Sequence, residues 1–356
     1  VASAYVILSF YGVVGGWTFA YVVKSVTGSV LAFTSPKEAG VFFGNFISNT
    51  GETLLYHALF MGLCIAIVLR GVHGGIERAC KVLMPTLVLF LFLLMIRSLT
   101  LDGAMEGVGF YLNPDFSKIS VNTVLIALGQ AFFSLSLGMG CMITYGSYLS
   151  EKENLTSSTV YVVMFDTLIA LLVGMVIFPA VFAMGLEPTE GPSLVFSVLP
   201  TVFNSMPMGH VVSIIFFTLL AIAAITSGIS LLEVVVAYFI DQRGWQRKKA
   251  VIIVGLSIFA FGIPSGLSFG AMAELKLAGM TFFDHVDNIA SNYLLPLGGM
   301  LTAIFVGWVW GTNNAHIEIE KHKNKFNFPW AQCWEFLIRY ITPVAVGIVF
   351  LAKVLP

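Results

Sequence analysis

The sequence predicts an all-α polytopic membrane protein, and three observations carry that prediction. Hydrophobic residues make up 58% of the 356 and charged residues only 10%, where a soluble domain carries about 25% charged residues. Nine apolar runs approach or exceed the ~17 residues needed to cross a bilayer. They lie near 1–27, 54–70, 80–98, 122–149, 158–184, 209–240, 249–264, 288–311 and 333–354. None alternates apolar and polar residues as a barrel strand does. Because lipid offers backbone groups no partner, such runs close their hydrogen bonds internally as helices. The composition excludes an ordinary cytosolic enzyme. With 18 Lys and Arg against 19 Asp and Glu, there is no basic surface to hold a nucleic-acid backbone and no acidic tail.

The first run opens at Val1 with no charged leader and no cleavage site, so it reads as a span rather than a signal peptide. The sequence is expected to begin mid-protein. Lys and Arg placement orients the helices. With the first span running outward, Lys24, Lys37, Arg97, Lys118, Lys276 and Lys353 fall outside. The other twelve of the 18, among them Arg243, Arg247, Lys248, Lys249, Lys323 and Lys325, fall inside. The 241–250 turn is therefore cytoplasmic and 185–208 external. In that external loop Leu194, Val195, Val198, Leu199 and Val202 recur at helical spacing over a stretch too short to span. Near 192–206 it is either a lid helix over an external mouth or a surface helix packed on neighbouring loops. No linker or soluble domain interrupts the chain, which reads as one membrane domain over 1–356. Cys64, Cys80, Cys141 and Cys333 lack the spacing of a zinc site or a disulfide framework.

The fourth span carries the most chemistry. Ser134 and Ser136 are followed by Gly138 and Gly140 at mid-bilayer depth, and each helical Gly costs about 1 kcal/mol against Ala. A break is expected there. Its freed carbonyl and amide groups are tolerable only if they line a buried or watery cavity and coordinate an ion or solute. Close helix packing through small residues is the alternative. In the fifth span Asp166 lies near the midplane, where a carboxylate costs at least ~2.5 kcal/mol. No Lys or Arg occupies a span core, so its partner is a bound cation, unless the carboxyl is protonated onto a neighbouring helix or belongs to a proton relay.

In the sixth span Thr226, Ser230, Glu233 and Asp241 form a stripe from mid-bilayer to the cytoplasmic end. It suits a wetted exit path or a set of interhelical hydrogen bonds, the latter explaining Glu233 poorly. Thr226, Ser227 and the Ala223 carbonyl one turn earlier offer hard oxygens that suit a small alkali cation. Tyr11 sits mid-span, where its hydroxyl needs either a core partner or a substrate carboxylate. Gly12 and Gly16 beside it form a close-packing face. Asp284-His285-Val286-Asp287 reads as a helix N-cap or a metal site. His316, Glu318, Glu320 and His322 alternate in a charged cytoplasmic segment and read as solvated. No nucleophile elbow, HExxH, P-loop or triad spacing is present.

These residues resemble the neurotransmitter:sodium symporters, particularly the bacterial amino-acid members with the leucine-transporter fold, a family known for inverted repeats and broken helices. The resemblance runs along the whole chain and is carried by GQAFFSLSLGMGCMITYGSYL at 129–149, RGVHGGIERACKVLMP at 70–85, AAITSGISLLE at 223–233 and RYITP at 339–343. It implies a leucine-transporter-like inverted-repeat bundle in which the nine spans are the third to eleventh helices, so that the first two fall outside this sequence. The family's unwound first helix supplies ligands to both sodium sites, a cradle for the substrate carboxylate and the Arg of the external gate. A fragment lacking it is not expected to transport by itself.

The resemblance also implies roles. Tyr11 is similar to the tyrosine that binds the substrate carboxylate, with Ile7 and Leu231 as pocket walls. Phe133 resembles the aromatic lid, and Ser136 and Met139 side-chain pocket residues. Ser134 resembles the hydroxyl ligand of the first sodium site, where Asp166 replaces the usual Asn. Ala170 falls where chloride-dependent members have Ser, so chloride independence is expected, with Asp166 as the compensating negative charge. Ala223, Thr226 and Ser227 resemble the second sodium site, Ser227 also bordering the substrate. Asp287 resembles the external-gate carboxylate, and Tyr148 with Asp241 the cytoplasmic gate. Glu233 departs from the leucine transporter's uncharged residue. The expected function is sodium-coupled import of an amino acid across the bacterial cytoplasmic membrane by alternating access. The other reading is a membrane sensor or scaffold that binds an amino acid without moving it.

Overall fold

The computed structural model describes residues 1–33, 35–150, 152–186, 191–321 and 331–354; His322, Lys323 and Lys325 lie outside them. In chain order the helices are α1 (Ala2–Val26), α2 (Pro36–Ser48), α3 (Thr50–Leu69), α4 (Arg78–Leu99), α5 (Ala104–Leu112), α6 (Val121–Ser134), α7 (Cys141–Ser147), α8 (Leu155–Ala183) and α9 (Gly191–Ser193). There follow α10 (Leu199–Asn204), α11 (Gly209–Arg243), α12 (Arg247–Leu267), α13 (Phe282–Asn288), α14 (Leu295–Ile304), α15 (Thr312–Lys321), α16 (Ala331–Phe336) and α17 (Thr342–Val354). Widened π-type turns at Val72–Glu77, Leu194–Val198, Ile289–Leu294, Phe305–Val309 and Leu337–Ile341 join several of them into longer rods.

Among the described residues, eight of these rods are long and apolar enough to cross a membrane. They are Ala2–Val26, Thr50–Leu69, Val72–Leu99, Leu155–Ala183, Gly209–Arg243, Arg247–Leu267, Phe282–Val309 and Gln332–Lys353. The run predicted at 122–149 is the exception, because it is two half-helices, α6 and α7, around an open turn. The rod predicted to start near 288 starts at Phe282, where Thr281 caps it.

Burial separates the rods. Two-thirds of the apolar window of α1 is buried (67%) and 61% of that of α11, against 11% for α8, which makes α1 and α11 the centre. Both pack against α3 and α12, and glycine sets how closely. A Cβ at Gly16 would stand 2.8 Å from the backbone of Tyr56 and His57, and one at Gly228 would stand 2.9 Å from Cys64 Sγ and the Phe60 ring. One at Gly262 would overlap the Ser9 carbonyl. The buried ring of His57 fills the space that Gly12 and Gly262 leave. The Gly12 and Gly16 face is thus a packing seam, as expected.

The predicted external helix, observed over 191–204, is built into the core rather than resting on it. Phe196, Val198, Leu199, Val202 and Phe203 are buried. The Tyr21 hydroxyl donates to the Phe196 carbonyl at 3.2 Å, and the Phe196 ring stacks on Phe43 at 4.9 Å. Phe43 belongs to α2, an element outside the predicted spans. Its signal was present: Ser35-Pro36-Lys37-Glu38 sets a capping Ser before a Pro at the first helical position, and Ser35 Oγ accepts from the Glu38 amide.

Candidate functional site

The central site forms where α6 stops. The Ser134 to Gly140 stretch leaves helical geometry with Ser136 at φ 56°, Gly138 at φ 78° and Gly140 at φ 90°. Left-handed backbone suits Gly and strains Ser. A Cβ on Gly138 would collide with the Leu295 carbonyl, and one on Gly298 with the Gly138 carbonyl, so the turn is seated on the start of α14. The break predicted from the two Ser and two Gly is present.

Beside it opens a cavity of about 770 Å³. Ile7, Tyr11, Phe133, Ser134, Ser136, Met139, Ser227 and Leu231 all line it, with Thr226 and Tyr148. These come from α1, the broken helix and α11, far apart in sequence. Tyr11 on α1 and Ser227 on α11, the hydroxyl predicted to border the substrate, share the cavity wall. Ala223, Asp166, Asp241 and Asp287 do not line the cavity. Sequence reading missed Gln130, Cys80 and Tyr145, which do; nothing in their spacing marked them.

Asp166 reaches the site through one side chain. Ser134 Oγ stands 2.6 and 2.7 Å from its two carboxylate oxygens and donates to them. With its hydrogen directed at Asp166, the Ser134 oxygen keeps its lone pairs for another ligand. A second oxygen pair lies on α11, where Thr226 Oγ1 donates to the Ala223 carbonyl at 2.9 Å. Each pair holds two hard oxygens close enough to share a small cation.

Toward the C-terminal end of α11 the stripe changes character. Ser230 donates to the Thr226 carbonyl at 2.8 Å and accepts from Tyr145 at 2.5 Å, still on the cavity wall. Glu233 is fully buried and closed over. Tyr148 donates to it at 2.7 Å, and Arg247 grips both its oxygens at 3.1 and 2.6 Å. Arg247 Nε also donates to the Val68 carbonyl at 3.0 Å. The expected wetted stripe therefore ends at Ser230. Glu233 is the carboxylate of a clasp joining α3, α7, α11 and α12. Tyr148, expected opposite Asp241, bonds Glu233 instead, while Asp241 is exposed near the end of α11.

Asp287 is half-buried on α13 and accepts from Ser291 at 3.0 Å. The Asp284 to Asp287 run resolves as a capping box. Thr281 is the N-cap, its hydroxyl accepting from the Asp284 amide at 3.2 Å while Asp284 accepts from the Thr281 amide at 3.0 Å. No group of His, Cys, Asp and Glu able to hold a metal occurs among the described residues. His316, read as solvated, sets its ring edge-on to Trp334 at 5.3 Å.

A model of the sodium:neurotransmitter symporter family matches residues 38–356. The chain belongs to that family. It is 42% identical over 351 residues to the uncharacterized sodium-dependent transporter YhdH of Bacillus subtilis, covering 99% of this chain and 77% of that protein. An uncharacterized sodium-dependent transporter of Haemophilus influenzae is 37% identical over 356 residues, with the same coverage of each. The crystal structure of MhsT in complex with L-phenylalanine matches with a TM-score of 0.88 at 47% identity, covering 99% of this chain and 79% of that one. The all-helical membrane architecture is that of this symporter fold, and the family is one of transporters rather than enzymes.

Proposed function

We propose that this symporter-family protein imports an amino acid with sodium by alternating access, and does so without chloride. The observation that carries the reading is the cavity at the α6–α7 break, with one hard-oxygen pair toward α8 and another on α11. A substrate carboxylate is held at Tyr11, and Phe133 closes over its side chain between Ile7, Met139 and Leu231. Those apolar walls suit a large apolar amino acid, in keeping with the phenylalanine bound to MhsT.

Sodium occupies two sites in this reading, one at Ser134 and Asp166 and one at Ala223, Thr226 and Ser227. Two or three oxygens do not fill an alkali cation's shell, and the family resemblance assigns the remaining ligands to the unwound first helix. Ala170 has no hydroxyl for chloride, and Asp166 supplies the negative charge in its place. At 4 Å and an effective dielectric near 20, such a charge pair is worth ~4 kcal/mol before desolvation. A ligand drives the cycle only through different affinity for the two states. Sodium on α11 favours a closed cytoplasmic side, with Tyr148 and Asp241 there and Asp287 at the external gate. The cytoplasmic membrane is the setting.

Uptake of labelled phenylalanine into vesicles under an inward sodium gradient, by a chain that carries the family's first two helices ahead of these residues, tests this. Accumulation that collapses with the gradient is expected, unchanged when gluconate replaces chloride. Saturable binding without accumulation would instead identify a sensor.

A further inference from the structure

The RYITP stretch at 339–343 lines no part of the central cavity, and its contacts give it another task. Two widened turns, Phe305–Val309 after α14 and Leu337–Ile341 before α17, lie side by side. Turns of this kind interrupt the helical hydrogen-bond ladder, and here each is completed by a side chain from the other. Pro343 has no N–H to give the Arg339 carbonyl four residues back, and the Trp308 indole donates to that carbonyl at 3.2 Å. In return Arg339 Nε donates to the Gly307 carbonyl at 3.0 Å. Gly307 permits the approach, since a Cβ there would stand 3.2 Å from Arg339 Cα. The guanidinium also donates to Thr312 at 2.9 Å and pairs with Glu335 at 2.8 Å. Thr312 in turn donates to Glu335 at 2.9 Å.

What this lock holds is α14. Widened turns bound that helix at both ends, Ile289–Leu294 before it and Phe305–Val309 after it. Helices bend at such turns, so the position of α14 depends on what grips it. Its side packs along α17, and its last residues run into the lock. Its first turn is the seat of the broken helix, where a Cβ on Gly298 would collide with the Gly138 carbonyl and one on Gly299 would stand 2.6 Å from the Phe132 ring. The ten residues of α14 set seat and lock about 15 Å apart.

We infer that Arg339 is a positioning residue for the central site. By locking the two widened turns together it fixes α14, and through α14 the Ser134 to Gly140 turn that carries the sodium and substrate groups. The inference rests on that turn being the ligand site.

Two measurements test it, on a chain that carries the family's first two helices ahead of these residues: sodium-dependent binding of labelled phenylalanine, and hydrogen exchange of the sodium-free protein. Arg339→Lys keeps a charge beside Glu335 but loses the planar fork that reaches Gly307 and Thr312 as well. Trp308 is exposed, and Trp308→Phe removes only the N–H that meets the Arg339 carbonyl. The sodium concentration for half-maximal binding should rise about fivefold in Arg339→Lys and about twofold in Trp308→Phe. Amides of α14 and of residues 138–140 should exchange faster in both, while those of α12 stay protected. Faster exchange confined to the two widened turns, or an unchanged sodium requirement in both variants, overturns the proposal. So does faster exchange across α12, which would mark general loosening. If Arg339→Lys does not fold, Trp308→Phe decides by the same two readings. A wild-type chain that binds no phenylalanine, or binds it without sodium, would defeat the symport reading instead, and exchange at 138–140 alone then decides the role of Arg339.

Discussion

The block formed by α1, α3, α11 and α12 and the broken helix α6–α7 are neighbours held by opposite means. In the block, glycines let backbones touch, as where Gly262 meets the Ser9 carbonyl and Gly16 the backbone of Tyr56 and His57. Its buried charge, Glu233, has both oxygens matched by one guanidinium. In the broken helix the backbone turns left-handed three times within five residues, and its Ser134 pairs with a carboxylate at membrane depth. A ligand needs free carbonyls and hydroxyls, which a packed seam cannot spare. The difference assigns rigidity to the block and ligand response to the break.

Breaking the block should produce the largest effect. Arg247→Ala leaves Glu233 buried and uncompensated, which costs about 3–5 kcal/mol. A large fall in thermal stability is expected, with partial recovery in the Arg247→Leu, Glu233→Leu double variant. Stability equal to wild type in Arg247→Ala would mean that the clasp is not closed. Gly262→Ala should cost about 1–3 kcal/mol by overpacking, while Gly62→Ala, on the outer face of α3 with open space around it, should gain about 0.5–1 kcal/mol. Thermal melts of the two substitutions, measured side by side, separate a packed seam from ordinary helix surface.

The break should answer to ligand rather than to heat. Asp166→Asn removes the charge that Ser134 contacts, so sodium affinity is expected to fall by about tenfold, equivalent to ~1.4 kcal/mol, while the melting temperature without sodium changes little. Sodium-dependent substrate binding measures it. An unaltered sodium dependence would take Asp166 out of the cation site.

Much of this contrast was legible beforehand, and unevenly. The break could be read because two Ser and two Gly at mid-span contradict helix propensity, and local propensity is a property of sequence. The α1 seam could be read from Gly12 and Gly16 for the same reason. Glu233 could not be, because its partner Arg247 lies 14 residues on, across a turn whose direction only the fold reveals. Tyr148 was placed opposite Asp241 by resemblance, but a buried carboxylate about two turns deeper outcompetes an exposed one for its hydroxyl. The external helix over 191–204 was seen as amphipathic. What covers it, the aromatic rings of α2, depends on long-range packing that periodicity does not encode.

The smallest expected effect lies where the two regions meet. Tyr145 on α7 donates to Ser230 on α11 at 2.5 Å, the contact that ties the responsive half-helix to the block beside Thr226. A neutral hydrogen bond contributes about 0.5–1.5 kcal/mol, so Tyr145→Phe and Ser230→Ala should each cost little stability. If α7 moves relative to α11 during the cycle, the bond exists in only one state, and losing it shifts the balance between states. Each variant should then change the sodium concentration that half-closes the cytoplasmic side, read by a fluorophore there, and the double variant should change it no more than either alone. Additive shifts would mean the two residues act separately, and α7 would join the rigid block.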